Sequence, residues 1–290
     1  MKYSNIDQWK NRIKELAVNN HVSVQEMQQR YILEEFARKI SASKHKDSIV
    51  IKGGFVVSAL LGIDARKTRD IDFTFNSTIY SIEQIKDIIT DIIHTPTDCF
   101  FTYEILDIKE QQLEDHYHGY SCTIVAINEK SKLHLKLDIS NNTLIYPRGI
   151  ETPLHSFIEQ DDIYVMTYSI ENIIAEKYET TLDRGIFNTR IRDLFDVYYL
   201  FTKNHYLIDN KLLAKTIINV SKSRNTYNNL FHFQELISEL EDSKIFNDTF
   251  KRYRTNNSVY EEIDLNEIFT VFKVIDHYVQ EELKIYRSTF

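Results

Sequence analysis

Three aspartates set the chemistry open to this chain. Asp70 and Asp72 stand two apart at the head of the apolar run IDFTF, residues 71–75. In a strand, side chains two apart share a face, so the two carboxylates project together while Ile71 and Phe73 point into a core. Carboxylates this close repel each other unless a cation sits between them, and hard oxygen ligands of this kind suit Mg²⁺. Upstream, Gly53 and Gly54 form a turn whose backbone N–H groups can meet a triphosphate, and a helix beginning just after it adds the positive end of its dipole. A two-metal phosphoryl-transfer site calls for a further carboxylate. In KLHLKLDIS, residues 132–140, Leu133, Leu135, Leu137 and Ile139 form one face, which puts His134, Lys136 and Asp138 on the other. Asp138 is therefore the third candidate ligand. Each part alone has a plainer reading, as a glycine turn, a surface Asp-x-Asp or the cap of a strand end; together and in this order they describe a phosphate and metal site.

The second half adds a lysine. SIENIIAEKYETTLDRG opens with Ser169 as an N-cap, has Glu171 in the first turn and ends at Gly185. Ile170, Ile173, Ile174 and Lys177 fall at i, i+3, i+4 and i+7, so Lys177 stands where the apolar stripe should continue. An unpaired buried ammonium is costly, which predicts that Lys177 meets a carboxylate or a phosphate; the plainer alternative is a snorkelling side chain at the stripe's edge. In the next helix, RIRDLFDVYYL, the spacing predicts that Ile191, Leu194, Phe195 and Tyr198 are buried and that Arg192, Asp193 and Asp196 share a polar face. On spacing alone that face is a surface ion pair.

These residues need elements to hold them. Apolar periodicity predicts two helices between Asn5 and Lys39, broken near Asn19-Asn20-His21, with Ser23 as an N-cap. A strand at 48–54 stops at the double glycine and gives way to the helix FVVSALLGI. A second strand (71–75), a helix near 81–93 and strands at 100–108, 120–127 and 132–139 follow. After Pro147 and Pro153 the strand signal fades, and helical patterns run from Ser169 onward, including 190–203, 211–222 and 265–283. The expected organisation is an α+β domain, residues 1–155, with a mixed sheet flanked by helices, then a mainly helical domain, 156–290, that brings Lys177 and the Arg190–Asp196 motif to the cleft.

Bulk properties exclude several classes. The chain has 290 residues, 42% hydrophobic and 27% charged, with only 6 glycines and 3 prolines, which favours a globular protein of two ordinary domains over a disordered chain. Its longest apolar run, Phe55–Ile63, is far below the ~20 residues of a membrane span, and the N-terminus lacks the apolar core of a leader. Two cysteines, Cys99 and Cys122, are too few for a disulfide framework, so a reducing cytoplasm is expected. A formal net charge of −8 argues against coating nucleic acid in bulk while leaving room for a local basic patch.

The Lys-Gly-Gly turn (52–54), Arg-x-Thr-Arg-Asp-Ile-Asp (66–72), Leu-Asp-Ile (137–139), the helix Glu-x-x-x-x-Glu-Lys (171–177) and Arg-x-Arg-Asp-x-x-Asp (190–196) together resemble the AbiEii/AbiGii toxin family, over roughly residues 25–203. The resemblance implies a DNA-polymerase-β-like nucleotidyltransferase fold and the role of toxin in type IV toxin–antitoxin and phage-abortive-infection systems. It implies Asp70, Asp72 and Asp138 as metal ligands for Mg²⁺, with Mn²⁺ as a substitute. Lys177, Asp193 and Asp196 join them as catalytic residues, and Lys52, Gly53, Gly54, Arg66, Thr68, Arg69, Lys177, Arg190 and Arg192 handle the nucleotide. Arg192 departs from the lysine more usual before the aspartate, and Gly-Gly replaces the Gly-Ser of many polymerase-β-like enzymes. The implied partners are an NTP, an RNA acceptor at a tRNA 3′ end, and an antitoxin from an adjacent gene, with or without a stable complex. Basic stretches at 222–224 and 251–254 read as solvated helix faces ahead of RNA contacts.

Three rival readings rank lower. Asp70-x-Asp72-x-Thr74 matches the start of a haloacid-dehalogenase-like phosphatase, but that fold needs a hydrophobic strand before the first aspartate, and here ARKTR precedes it. A nucleotide-binding module without turnover is opposed by the intact carboxylates. A zinc site would lean on His116-x-His118, which lies in a polar connector with no matching cluster.

Overall fold

The computed structural model describes residues 3–62, 68–76, 80–113, 117–129, 131–141 and 145–288. It divides into two compact units, Met1–Tyr168 and Ser169–Phe290. Among the described residues no helix is long and apolar enough to cross a membrane.

The first unit is α+β, as expected. Helices α1 (Ile6–Asn19) and α2 (Val24–Ala42) precede β1 (Ile49–Lys52), α3 (Gly53–Leu61), β2 (Asp70–Phe75), α4 (Ile82–His94), β3 (Thr102–Leu113), β4 (Tyr117–Asn128), β5 (Ser131–Ser140), β6 (Ile150–His155) and β7 (Asp162–Thr167). Local chemistry sets the helix starts. Ser23 and Ser81 each accept from the backbone of the residue three on, while Glu26 and Gln84 bond back to the cap residue's N–H. His21, at φ 52, makes the break between α1 and α2.

Among the described residues, seven strands form one mixed sheet in the order β3-β4-β5-β2-β1-β7-β6. β1 and β2 pair antiparallel, β2 and β5 parallel, and β3-β4-β5 form an antiparallel meander. Ile71, Phe73, Leu135, Leu137 and Ile139 are fully buried, while Leu133 is half-buried. On α4, Ile85, Ile88, Ile89 and Ile92 supply the i, i+3, i+4, i+7 stripe that packs on the sheet. At about 1.5–3 kcal/mol for each buried isoleucine, this stripe is a main anchor of the helix.

The end of the sheet corrects the sequence reading. Two strands follow Pro147 where the strand signal was expected to fade, and the first compact unit runs to Tyr168 rather than stopping near residue 155. β6 is the sheet's edge, the place where a strand tolerates a proline, and Pro153 sits there opposite Tyr164. β7 buries Ile163, Val165 and Thr167 in strict alternation. Its outward residues Tyr164 and Met166 are themselves apolar, so the alternation is invisible in the sequence.

The second unit is helical: α5 (Ile170–Arg184), α6 (Ile191–Lys203), α7 (Asn210–Ser223), α8 (Phe233–Asp242), α9 (Lys244–Thr255) and α10 (Leu265–Ser288), linked by short 3-10 turns. α5 starts at the Ser169 cap and ends at Gly185, whose φ of 49° favours glycine. It is buried on nearly every side. Tyr178 stacks between Phe233 and Phe272, with centroids 5.9 and 5.3 Å away, and Phe195 of α6 stacks on Phe250 and Tyr260.

Candidate active site

The sheet pairing assembles the three aspartates. In the parallel pairing of β2 and β5, Asp72 stands directly opposite Asp138, and Asp70 opposite Lys136. On the other side of β2, Lys52 at the end of β1 stands opposite Asp72. Burial, first, and then the Asp70 charge push the Asp72 carboxyl up to about 6; Asp138 adds to this, while Lys52 and a hydrogen bond from the Gly54 N–H oppose it.

Each carboxylate has its own support. Thr68 Oγ1 donates to Asp70 Oδ1 at 3.1 Å. Lys136 Nζ donates to Asp138 Oδ2 at 2.8 Å. The other oxygen of Asp138, Oδ1, is buried and has no hydrogen-bond partner, a costly state for a carboxylate oxygen unless a cation or a donor meets it. Lys136 and His134 were placed on the Asp138 face by alternation alone. The role of Lys136 as the counter-ion of Asp138 was not foreseen, although its position two residues upstream on the same face was the signal.

The glycine turn is more constrained than the sequence suggests. Gly53 has φ +68°, and a Cβ built on it would lie 2.0 Å from Asp72 Oδ2. Glycine at 53 therefore lets the backbone of β1–α3 close onto the carboxylate. The Gly54 N–H is turned toward Asp72. α3 begins at Lys52 with no side-chain cap, which leaves its first turn suited to an anion.

These residues fit a divalent cation by the chemistry of the donor set: crowded carboxylates and one bare buried oxygen on neighbouring strands. Among the described residues no three His, Cys, Asp or Glu side chains form a ready-made metal cage. Mg²⁺ at phosphate-handling sites commonly uses one or two carboxylates together with substrate phosphate oxygens, so a partial protein shell is compatible with it.

The other predicted site residues fall into distinct settings. Lys52 Nζ lies 5.5 Å from the centroid of the Tyr168 ring. Arg69 is exposed and its carbonyl accepts from Gln29 Nε2. Arg66 and His116 lie outside the described residues, as does the side chain of His118. Cys99 and Cys122 are free thiols.

In the second unit Lys177 is buried and bonds Asp193, with Asp196 Oδ2 2.8 Å from its Nζ. Of the two outcomes predicted for an inward lysine, the structure shows the carboxylate pairing. Arg190 Nε adds a contact of 2.9 Å to Asp193. The expected surface face of α6 is corrected: Asp193 and Asp196 are 5% and 2% exposed, and Arg192 instead donates to the Tyr253 hydroxyl at 3.1 Å. Tyr198, expected in the core, is half-exposed. Periodicity failed here because α6 meets α5 on one side and α9 and α10 on others, so the two aspartates of its polar stripe are enclosed while Arg192 stays exposed. Of the basic stretches, Arg224 pairs with Glu176 and Glu179, while Lys251 and Arg252 are exposed.

Two solved structures resemble the chain at low identity. JHP933 from Helicobacter pylori has 17% identity and a TM-score of 0.47, covering 92% of this chain and 97% of that one. A candidate nucleotidyltransferase from H. pylori has 17% identity and a TM-score of 0.47, covering 91% and 99%. Among curated proteins nothing matches. The model of one protein family, described as nucleotidyl transferase AbiEii toxin, type IV toxin–antitoxin system, matches residues 36–270 and so takes in β2, β5, α5 and α6 with all three aspartates. The chain belongs to the AbiEii nucleotidyl transferase toxin family of type IV toxin–antitoxin systems.

Proposed function

We propose that this toxin is a Mg²⁺-dependent enzyme that transfers a nucleotide from an NTP to an RNA acceptor, the 3′ end of a tRNA. The observation that carries the reading is the pairing of Asp72 with Asp138 across β2 and β5, with Oδ1 of Asp138 buried and bare. Asp70, Asp72 and Asp138 would hold Mg²⁺, or Mn²⁺ in its place. When bound, the metal supplies charge that offsets the phosphate oxygens and favours ionisation of the attacking hydroxyl.

The chain's own residues do the rest. The uncapped first turn of α3 binds phosphate oxygens through its N–H groups. Lys52 and Thr68 hold Asp72 and Asp70 in place, by charge and by hydrogen bond. Asp138 helps activate the acceptor hydroxyl, and the carboxylate takes up its proton as the oxygen attacks the α-phosphorus. The bond from the α-phosphorus to the bridging oxygen breaks in line, and pyrophosphate leaves. In the second unit Asp193 and Asp196 fix the ammonium of Lys177, which with Arg190 and Arg192 forms that unit's own candidate cluster. An antitoxin encoded by an adjacent gene is the proposed cellular partner, with or without a stable complex.

The test incubates the purified chain with Mg²⁺, each α-labelled NTP in turn and total bacterial RNA, beside an Asp70→Ala/Asp72→Ala control. Label on an RNA band with wild type alone is the expected result, and the band names the acceptor. Label on protein would replace the RNA acceptor, and no label at all would leave a nucleotide-binding module in place of an enzyme.

A further inference from the structure

Away from the three aspartates, Arg30 and Glu34 on α2 are the most completely buried charges among the described residues of the first unit, with side chains 4% and 2% exposed. Arg30 Nε donates to Glu34 Oε1 at 2.6 Å. A pair this dry gives up hydration on both ions and persists only when its remaining groups are satisfied. Glu34 also accepts from Ser156 Oγ at 2.6 Å and from the backbone N–H of Phe157 at 3.1 Å, in the connector between β6 and β7. Arg30 Nη1 donates to Ser58 Oγ of α3 at 2.9 Å. Its guanidinium carbon lies over the Phe55 ring at 4.9 Å from the centroid and over the Phe157 ring at 4.8 Å, within cation–π reach of both.

α2 therefore grips α3 at Phe55 and Ser58, within one turn of the Gly54 amide that meets Asp72. The neighbouring residue of α2, Gln29, donates through Nε2 to the carbonyls of Arg69 at 2.9 Å and His134 at 3.3 Å. Those carbonyls belong to the segments that lead into Asp70 and Asp138. Consecutive residues of one helix thus hold the helix after the glycine turn and the two strands that carry the carboxylates. Both residues lie upstream of residue 36, where the family match begins.

The need for such a brace follows from α3 itself. It has nine residues, no side-chain cap and a glycine in the left-handed region at its first position. A helix this short is marginal without outside contacts. The planar fork of an arginine, bonded to Glu34 and Ser58 and lying over two aromatic rings, fixes direction in a way that a point charge does not.

We infer that Arg30 is a positioning residue for nucleotide binding: through Ser58 and Phe55 it sets the direction of α3 and so aims the first-turn N–H groups at the phosphate that lies beside Asp72. The inference rests on the nucleotidyl-transfer reading and deepens it. Arg30→Lys keeps a charge near Glu34 while removing the fork and the bond to Ser58. Ser58→Ala removes that one bond and leaves the buried ion pair in place.

The test measures, on the full chain, the affinity for each of the four Mg²⁺·NTPs, the affinity for Mn²⁺ alone, and amide hydrogen exchange over residues 53–61 without nucleotide. NTP affinity is expected to fall about tenfold in Arg30→Lys and about threefold in Ser58→Ala, as lost hydrogen bonds of charged and aligned kinds would give. Mn²⁺ affinity should stay at the wild-type value, and exchange at the start of α3 should quicken in both. A merely structural ion pair would lower the melting temperature without this split between nucleotide and metal. Wild-type NTP affinity and exchange in both variants would overturn the brace alone; should Arg30→Lys fail to fold, Ser58→Ala decides. If the unsubstituted chain binds no NTP, the nucleotidyl-transfer reading falls, and this inference with it.

Discussion

Gly53 and Asp72 share one space: the carboxylate oxygen Oδ2 sits 2.0 Å from where the Cβ of any other residue at 53 would be. They meet because Lys52, the residue before Gly53 and the last of β1, pairs with Asp72 across β1 and β2. The backbone at 53 is also left-handed, at φ +68°.

Gly53→Ala should therefore fail twice. The left-handed backbone alone costs an L-residue about 1–2 kcal/mol, and the Cβ must push Asp72 out of line with Asp138. The expected result is a lower melting temperature together with loss of labelled-nucleotide transfer and of Mn²⁺ binding. Full activity at an unchanged melting temperature would show that the close approach is not needed.

Asp138→Asn tests the opposite case, a change of chemistry with little change of shape. The amide keeps the volume of the carboxylate, loses the charge and offers one acceptor oxygen in place of two. Transfer should fall by on the order of 100-fold or more, the range for a residue that holds a proton in the reaction, with a melting temperature close to wild type. Lys136→Ala, which removes the exposed partner of Asp138, should shift stability by less than about 1 kcal/mol. If transfer in Asp138→Asn stays within a few-fold of wild type, the third carboxylate has no part in the reaction.

The aspartates were legible because strands have a period of two: Asp70, Asp72 and Asp138 alternate with Ile71, Phe73, Leu137 and Ile139, all fully buried. The helix caps at Ser23 and Ser169 were legible for the same kind of local reason. What the sequence hides is set by partners distant along the chain. Gly53 reads as part of a phosphate-binding turn, and its close approach to Asp72 emerges only when β1 is paired with β2. Arg30 and Glu34, four apart on a helix, carry the spacing of a surface ion pair, and only α3 and the β6–β7 connector reveal them as interior. Asp193 and Asp196 mislead in the same way, since the polar stripe of a helix packed on several sides is buried too.

Lys177 stands between two buried carboxylates, and removing it leaves both Asp193 and Asp196 with less compensation in the interior of the second unit. Breaking one side of a buried ionic group typically costs about 3–5 kcal/mol. Lys177→Met should destabilise the second unit by roughly that amount, and adding Asp193→Asn should recover part of it, because one uncompensated charge is then gone. Denaturant melts of the two single variants and the double variant form the cycle. Simple additivity of the two losses would mean that the pair is not coupled.

Glu35 gives the chain a pH dependence apart from the aspartates. Burial raises its carboxyl above the ordinary 4.5; a hydrogen bond from the Cys99 thiol and the Arg38 charge oppose the shift, and Glu159 and Glu34 add to it. Arg38 Nε is 3.4 Å from Glu35 Oε1, and its Nη1 is bonded to Asp161. The folded value lies above the unfolded one, so the stability contributed by protonated Glu35 is fully present below 4.5 and is lost as pH rises through the folded value. Glu35→Gln cannot ionise and escapes that loss. The difference in unfolding free energy, Gln variant minus wild type, should therefore move in favour of glutamine as pH is raised from about 4 to about 7. Parallel stability curves over that interval would mean that Glu35 ionises as readily in the folded chain as in the unfolded one.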